Sequence, residues 1–258
     1  MQLKDIIEYK IYTAPDGFGV SEVEKWLKDI PAISSFDEIE PFFGNNDFSF
    51  NEWFALIVII RNKYINPVTI NNDFSSNYEM RANTALSSQQ YLDLNLKEDK
   101  SGVLDFSAQK NLRRLILTSC RICESIILPE NSNLELIEIL NMPKLKHIKN
   151  LDSLKSLKSL ALNKCNKFED YSIISSLTQL LMLSLSSNKS FNQLKFLIGV
   201  DNLKILNLID TNAIKIDSTL GYLSQLENLK VLNIKANQAE LKKFRKALPD
   251  CFVNGSLN

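Results

Sequence analysis

One pattern recurs from residue 91 to the end of this chain and constrains it more than anything else in the sequence. The unit is L-x-x-L-x-L, closed three residues later by Asn, Cys or Thr. It reads at Leu112, Leu115, Leu117 and Cys120; at Leu134, Ile137, Ile139 and Met142; and at Leu157, Leu160, Leu162 and Cys165. Three more copies follow: Leu180, Leu183, Leu185 and Asn188; Leu203, Leu206, Leu208 and Thr211; Leu229, Leu232, Ile234 and Asn237. A weaker first copy reads at Tyr91, Leu94, Leu96 and Asp99, so the copies start 21, 22, 23, 23, 23 and 26 residues apart. A period of that size belongs to stacked supersecondary units, none of which can bury its apolar face alone.

Within each copy, two apolar residues separated by one position point to the same side of a short strand, and the residue between them points to the other. Each copy therefore contributes one strand, and successive copies build a parallel sheet. The residue that closes the unit turns inward, where a polar side chain satisfies loop backbone groups that would otherwise be buried unpaired. Met142 cannot do this, so that turn is expected to be built differently or to use Asn141.

Residues from about 91 to 258 resemble the leucine-rich-repeat family. Asp170 to Asn188 is similar to the 22-residue repeats of bacterial internalins and of phosphatase-regulating repeat proteins. Leu241 to Val253 resembles the helix-plus-strand tail that closes many bacterial arrays. The resemblance implies an α/β leucine-rich-repeat solenoid: a curved parallel sheet of about seven repeats, preceded by an N-terminal α/β cap. The expected division is residues 1–85 as an acidic, aromatic-rich capping domain and 86–258 as the repeat domain, with its C-terminal cap from about residue 238.

The charge distribution supports two units. Seven basic residues stand against thirteen acidic ones up to residue 90, and 23 against 17 beyond it. Fourteen of the 23 aromatic residues also precede residue 85. In that segment Ile6 to Tyr12 alternates like a strand, and Ser21-x-x-Glu24 opens a helix that must stop before Pro31. Ser49-x-x-Glu52 opens a buried helix ending near Tyr64. Residues 66–90 hold 13 Asn, Ser, Thr or Gln among 25 and read as loop.

Little in the sequence promises chemistry. Cys120-x-x-Cys123 has the spacing of half a zinc site, but no second such pair or His pair completes it, so no metal and no cofactor are expected. Cys120 and Cys165 occupy equivalent places two strands apart, about 10 Å, beyond the reach of a disulfide at about 7 Å. His147, the only histidine, reads as a solvated loop residue among lysines. No nucleophile elbow, phosphate loop or zinc-helix motif is present, and the chain is expected not to be an enzyme.

The longest apolar run, Trp53 to Ile60, is far shorter than the roughly 20 residues of a membrane span. With no apolar leader at Met1 to Ile11 and four cysteines that form no framework, a reducing cytoplasm is the expected setting. The lysine excess of the repeats lacks the interleaved aromatics of single-strand nucleic-acid binding, so no specific nucleic acid is expected.

What remains is recognition of a protein, of unspecified identity and with the oligomeric state open, through the concave face of the sheet. The strand positions left free by the leucines are the candidates: Arg114, Ile116, Leu136, Glu138, Leu140, Met182, Ser184, Ile205, Asn207 and Ile209. Ile116, Leu136 and Leu140 form one apolar group and Met182, Ile205 and Ile209 another, with Ser159, Ala161, Ser184 and Ser186 between. Alternatives are an immunity or inhibitor protein that sets its acidic stretch Asp16 to Glu52 against a basic toxin or enzyme, an unrecognised activity in residues 1–85, and surface adhesion, which would need export.

Overall fold

A computed structural model describes residues 2–14, 20–64, 90–191, 193–211 and 216–255. The chain divides into two compact units, residues 1–67 and 68–258. The boundary expected near residue 85 and, except for its last residue, the loop read over 66–90 lie outside the described residues.

The first unit contains helices α1 (Leu3–Tyr12), α2 (Val20–Leu27) and α3 (Phe50–Lys63), with 3-10 turns at Phe36–Glu38 and Glu40–Gly44. The segment expected as a strand, Ile6 to Tyr12, is helical. Ile7 and Ile11, four residues apart, are its buried residues, and that spacing outweighs the apparent alternation. Asp5 accepts a hydrogen bond from the Gln2 backbone N–H at 3.0 Å and closes the first turn. Helix α2 begins one residue before Ser21 and ends ahead of Pro31, while α3 starts where its capping box placed it. There the Glu52 N–H donates to Ser49 Oγ, and Glu52 accepts from the Ser49 N–H. Trp53, Leu56, Ile59 and Ile60 of α3 are buried, and the Ile33 N–H reaches the Lys63 carbonyl at 2.7 Å beyond the helix.

The second unit is built on two parallel sheets. The larger has eight strands in the order β1-β3-β5-β7-β8-β9-β10-β11: β1 (Tyr91–Asn95), β3 (Arg114–Thr118), β5 (Leu136–Leu140), β7 (Ser159–Asn163), β8 (Met182–Ser184), β9 (Ile205–Leu208), β10 (Val231–Ile234) and β11 (Phe252–Gly255). The smaller, β2 (Val103–Asp105), β4 (Ser125–Ile127) and β6 (His147–Lys149), takes up the return segments of the first repeats. Sequence reading did not anticipate it, although Leu104, Ile126 and Ile148, 22 residues apart, are its buried residues in register. Later returns use 3-10 turns at Leu151–Ser153, Tyr171–Ser176 and Lys195–Leu197, and helix α4 (Ile216–Leu223).

Register corrects the first repeat. Tyr91 pairs with Arg114, so Leu92 and Leu94, not Leu94 and Leu96, stand beside Leu115 and Leu117. The step from β1 to β3 is then 23 residues, in line with the rest. Between the sheets run the ladder residues: Leu115, Ile137, Leu160, Leu183, Leu206 and Leu232 belong to one continuous buried core.

The turn after each strand repeats as faithfully as the leucines. Ser119, Asn141, Lys164, Ser187 and Asp210 all adopt left-handed backbone with φ between 57° and 68°. The first four donate their N–H to the next strand's carbonyl, at Leu140, Asn163, Ser186 and Ile209. Asn141 therefore does not depart from the pattern, and Met142 is simply buried in the ladder place without a polar contact of its own type.

At the last repeat the ladder residue changes employment. Asn237 caps helix α5 (Gln238–Ala247), accepting from the Glu240 N–H at 2.9 Å. Leu241, Phe244, Leu248 and Val253 complete the core there. Gly255 in β11 lies against Leu241, whose side chain would have to shift to admit a Cβ there.

Candidate functional site

The outward side of the eight-stranded sheet presents three rows of side chains. Register assigns Tyr91, Arg114, Leu136, Ser159, Met182, Ile205, Val231 and Phe252 to the first row. Asp93, Ile116, Glu138, Ala161, Ser184, Asn207, Asn233 and Asn254 form the second. Thr118, Leu140 and Asn163 belong to the third, with Asn95 at its start.

These positions are less open than strand alternation implies. Arg114, Leu136 and Ile205 of the first row, and Ile116 of the second, are buried, so four of the ten expected face residues offer little surface. Strands spaced about 4.8 Å apart place identical row positions side by side, and long side chains cover their neighbours' flanks. Glu138, Leu140, Met182, Ser184, Asn207 and Ile209 remain half-exposed.

The polar members of the face are partly engaged. Ser184 Oγ donates to Asn163 Oδ1 at 2.8 Å, and the same oxygen accepts from the Ser186 N–H at 2.9 Å. Asn207 Oδ1 accepts from the Ile209 N–H at 3.2 Å. Asn163, absent from the expected set, is thus the polar hinge of the small-residue stretch between the apolar groups. At the first strands, burial raises the Asp93 carboxyl above the usual carboxylate range, and the Arg114 guanidinium offsets part of the rise.

The inward-turning residues do what the repeat demands. Asn188 Nδ2 donates to the Leu162 carbonyl at 2.6 Å, while its Oδ1 accepts from the Cys165 N–H at 2.7 Å. Cys165 makes the same backward reach one repeat earlier, its thiol 3.8 Å from the Ile139 carbonyl, and burial pushes it up to about 12. Cys120 and Cys123 are both buried, and their shared hydrogen bond together with burial pushes the Cys123 thiol up.

His147 lies on strand β6 and not in a loop, with Nδ1 at 2.8 Å from Asp170 Oδ2. Ser125 is its register partner on β4, which sets Ser, His and Asp in one row. The row lacks what a nucleophile needs: Ser125 Oγ is shut from solvent and makes no hydrogen bond to the imidazole. Among the described residues no three His, Cys, Asp or Glu side chains converge as metal ligands, and no helix is long and apolar enough to cross a membrane.

No protein-family model matches the chain, and no curated protein matches it. Among solved structures, an internalin of Listeria monocytogenes is 14% identical over 99% of this chain and 95% of its own, with a TM-score of 0.37. A leucine-rich-repeat protein of Leptospira interrogans is 18% identical over 73% of this chain and 65% of its own, TM-score 0.33. InlP of Listeria monocytogenes is 19% identical over 52% and 39%, TM-score 0.30. The chain's own sequence period and the strand register that obeys it give it the architecture of a leucine-rich-repeat solenoid.

Proposed function

We propose that the chain is a non-enzymatic protein-binding module that holds a protein partner on the outward side of its large sheet. One observation carries the reading: Leu140, Met182 and Ile209, apolar residues uncommitted to the core, keep half-exposed surface on the sheet face beside half-exposed Glu138, Ser184 and Asn207. Apolar side chains held in water on a preorganised face gain free energy when a partner covers them. The aromatic anchors of very tight interfaces are missing from the central strands, so the affinity is moderate.

The test is capture from native lysate with the wild type and with Leu140→Asp/Met182→Asp/Ile209→Asp. Leu136 and Ile205 are left unaltered because a carboxylate at those buried places would cost stability and confuse the result. A partner retained by wild type and lost by the folded variant supports the reading. A partner retained equally by both refutes it.

A further inference from the structure

A row of side chains immediately preceding the strands of the large sheet changes character along the array. It reads Arg113, Glu135, Lys158, Leu181, Lys204, Lys230 and Cys251, as successive backbone bonds show: Lys204 N–H to the Leu181 carbonyl at 2.9 Å and Lys230 N–H to the Lys204 carbonyl at 2.8 Å. At the near end a carboxylate stands between the cations. Arg113 Nη2 donates to both oxygens of Glu135 at 2.7 and 2.9 Å, and Lys158 follows Glu135 on the other side.

At the far end two lysines stand side by side with no carboxylate between them. Like charges directly opposite on neighbouring strands repel. Lys204 Nζ reaches the neutral Asn228 Oδ1 at 3.2 Å, and among the described residues neither lysine has an ion-pair partner. Both are half-buried, and they are flanked by buried Leu181 and half-buried Cys251. Burial, and then Lys230, hold the Lys204 ammonium below the ordinary lysine range. A partly desolvated ammonium set beside a second cation, with only a neutral amide oxygen against it, gains from an incoming anion.

We propose that Lys204 and Lys230 together form a binding site for an acidic side chain of the protein partner, which supplies the carboxylate that Glu135 supplies internally at the other end of the row. This rests on the recognition reading above and adds the chemistry of the partner: an Asp- or Glu-bearing segment crossing the entry to β9 and β10.

A labelled hexaglutamate peptide, followed by fluorescence anisotropy against the full chain at near-physiological salt, tests it. Lys204→Gln/Lys230→Gln is compared with Lys242→Gln/Lys243→Gln, an equal loss of charge on exposed α5. The first variant should weaken binding about tenfold, as loss of a charge-assisted contact does, and the second by less than about twofold. Equal weakening, or none from the first, overturns the proposal, as does tighter binding of an oligothymidylate of the same charge, which would make the site one for phosphate. Should the first variant fail to fold, Lys204→Glu serves, losing the peptide while keeping or raising thermal stability. Leu140→Asp/Met182→Asp should bind the peptide like wild type. If the peptide result fails while the sheet-face variant still loses its partner, only this inference falls; in the reverse case the recognition reading falls, and with it the assignment of the carboxylate to a partner on the sheet face, while the lysine pair stands as a carboxylate site.

Discussion

The side chain of Asn188 bridges two repeats, its Nδ2 donating to the Leu162 carbonyl, 26 residues back, and its Oδ1 accepting from the Cys165 N–H. Both backbone groups are sealed from water at this place, since Asn188 is fully buried. Replacing Asn188 with Ala leaves one donor and one acceptor unpaired and should cost about 2–4 kcal/mol in urea unfolding. Thr211→Ala, which removes only a local half-exposed bond to Leu208, should cost about 1 kcal/mol or less. Equal losses would mean that Asn188 does not knit the repeats together.

The leucine core should fail collectively. Leu160 is buried on β7, between Ile137 and Leu183 on the neighbouring strands. Leu160→Ala should cost about 2–5 kcal/mol and loosen the neighbouring repeats together. Hydrogen exchange would show faster exchange on β5 and β8 as well as β7; a change confined to β7 would speak against coupling of the repeats.

The left-handed turns store strain wherever they lack glycine. Ser187 sits at φ 59°, where a Cβ costs roughly 1–2 kcal/mol. Ser187→Gly should relieve that strain and stabilise the fold by about 0.5–1 kcal/mol after the entropy of the freer chain is subtracted. Ser187→Val should destabilise it. Thermal melts distinguish the two, and a loss with glycine would show that the turn is not strained.

Alkaline pH should unfold the repeats through Cys165. Burial raises this thiol from 9.0 to about 12, so between those values the unfolded chain gives up the proton while the folded chain keeps it. The folded state then binds more protons, and stability falls as pH rises through this window, by up to about 1.4 kcal/mol per pH unit for the one group. Cys165→Ala should have a shallower alkaline slope in urea midpoints. An unchanged slope would remove Cys165 as the cause.

Lys204→Glu should place a carboxylate beside Lys230, as Glu135 stands beside Arg113, and raise stability by about 0.5–1 kcal/mol. A lower melting temperature would show that the lysine pair is not repulsive in the free protein.

Most of the repeat architecture was legible because the ladder residues obey a period that only stacked parallel strands satisfy. The first repeat was misread for a physical reason. Leu92, Leu94 and Leu96 alternate, and a slip of two residues leaves every side chain on its original face; only the pairing of Tyr91 with Arg114 decides the register. Helix α1 was hidden because Ile6, Ile7 and Ile11 satisfy short stretches of both periods. The small sheet was missed since its strands are only three residues long, each with one buried residue, Leu104, Ile126 or Ile148, and that 22-residue recurrence is visible only when the copies are aligned from the strands outward. The candidate face was legible in direction and not in exposure. Alternation says that Leu136 and Ile205 point away from the core, yet lateral crowding by neighbouring rows buries them.

Photo-cross-linking reads directly whether a partner covers the outward face of the large sheet. A benzophenone side chain is placed singly at position 140, 182 or 209 on the outward face, or at exposed Val103 on the small sheet, and the protein is irradiated in native lysate. The three outward-face positions should give one common adduct and position 103 none. An adduct formed only from position 103, or equally from all four, would contradict recognition through the large sheet.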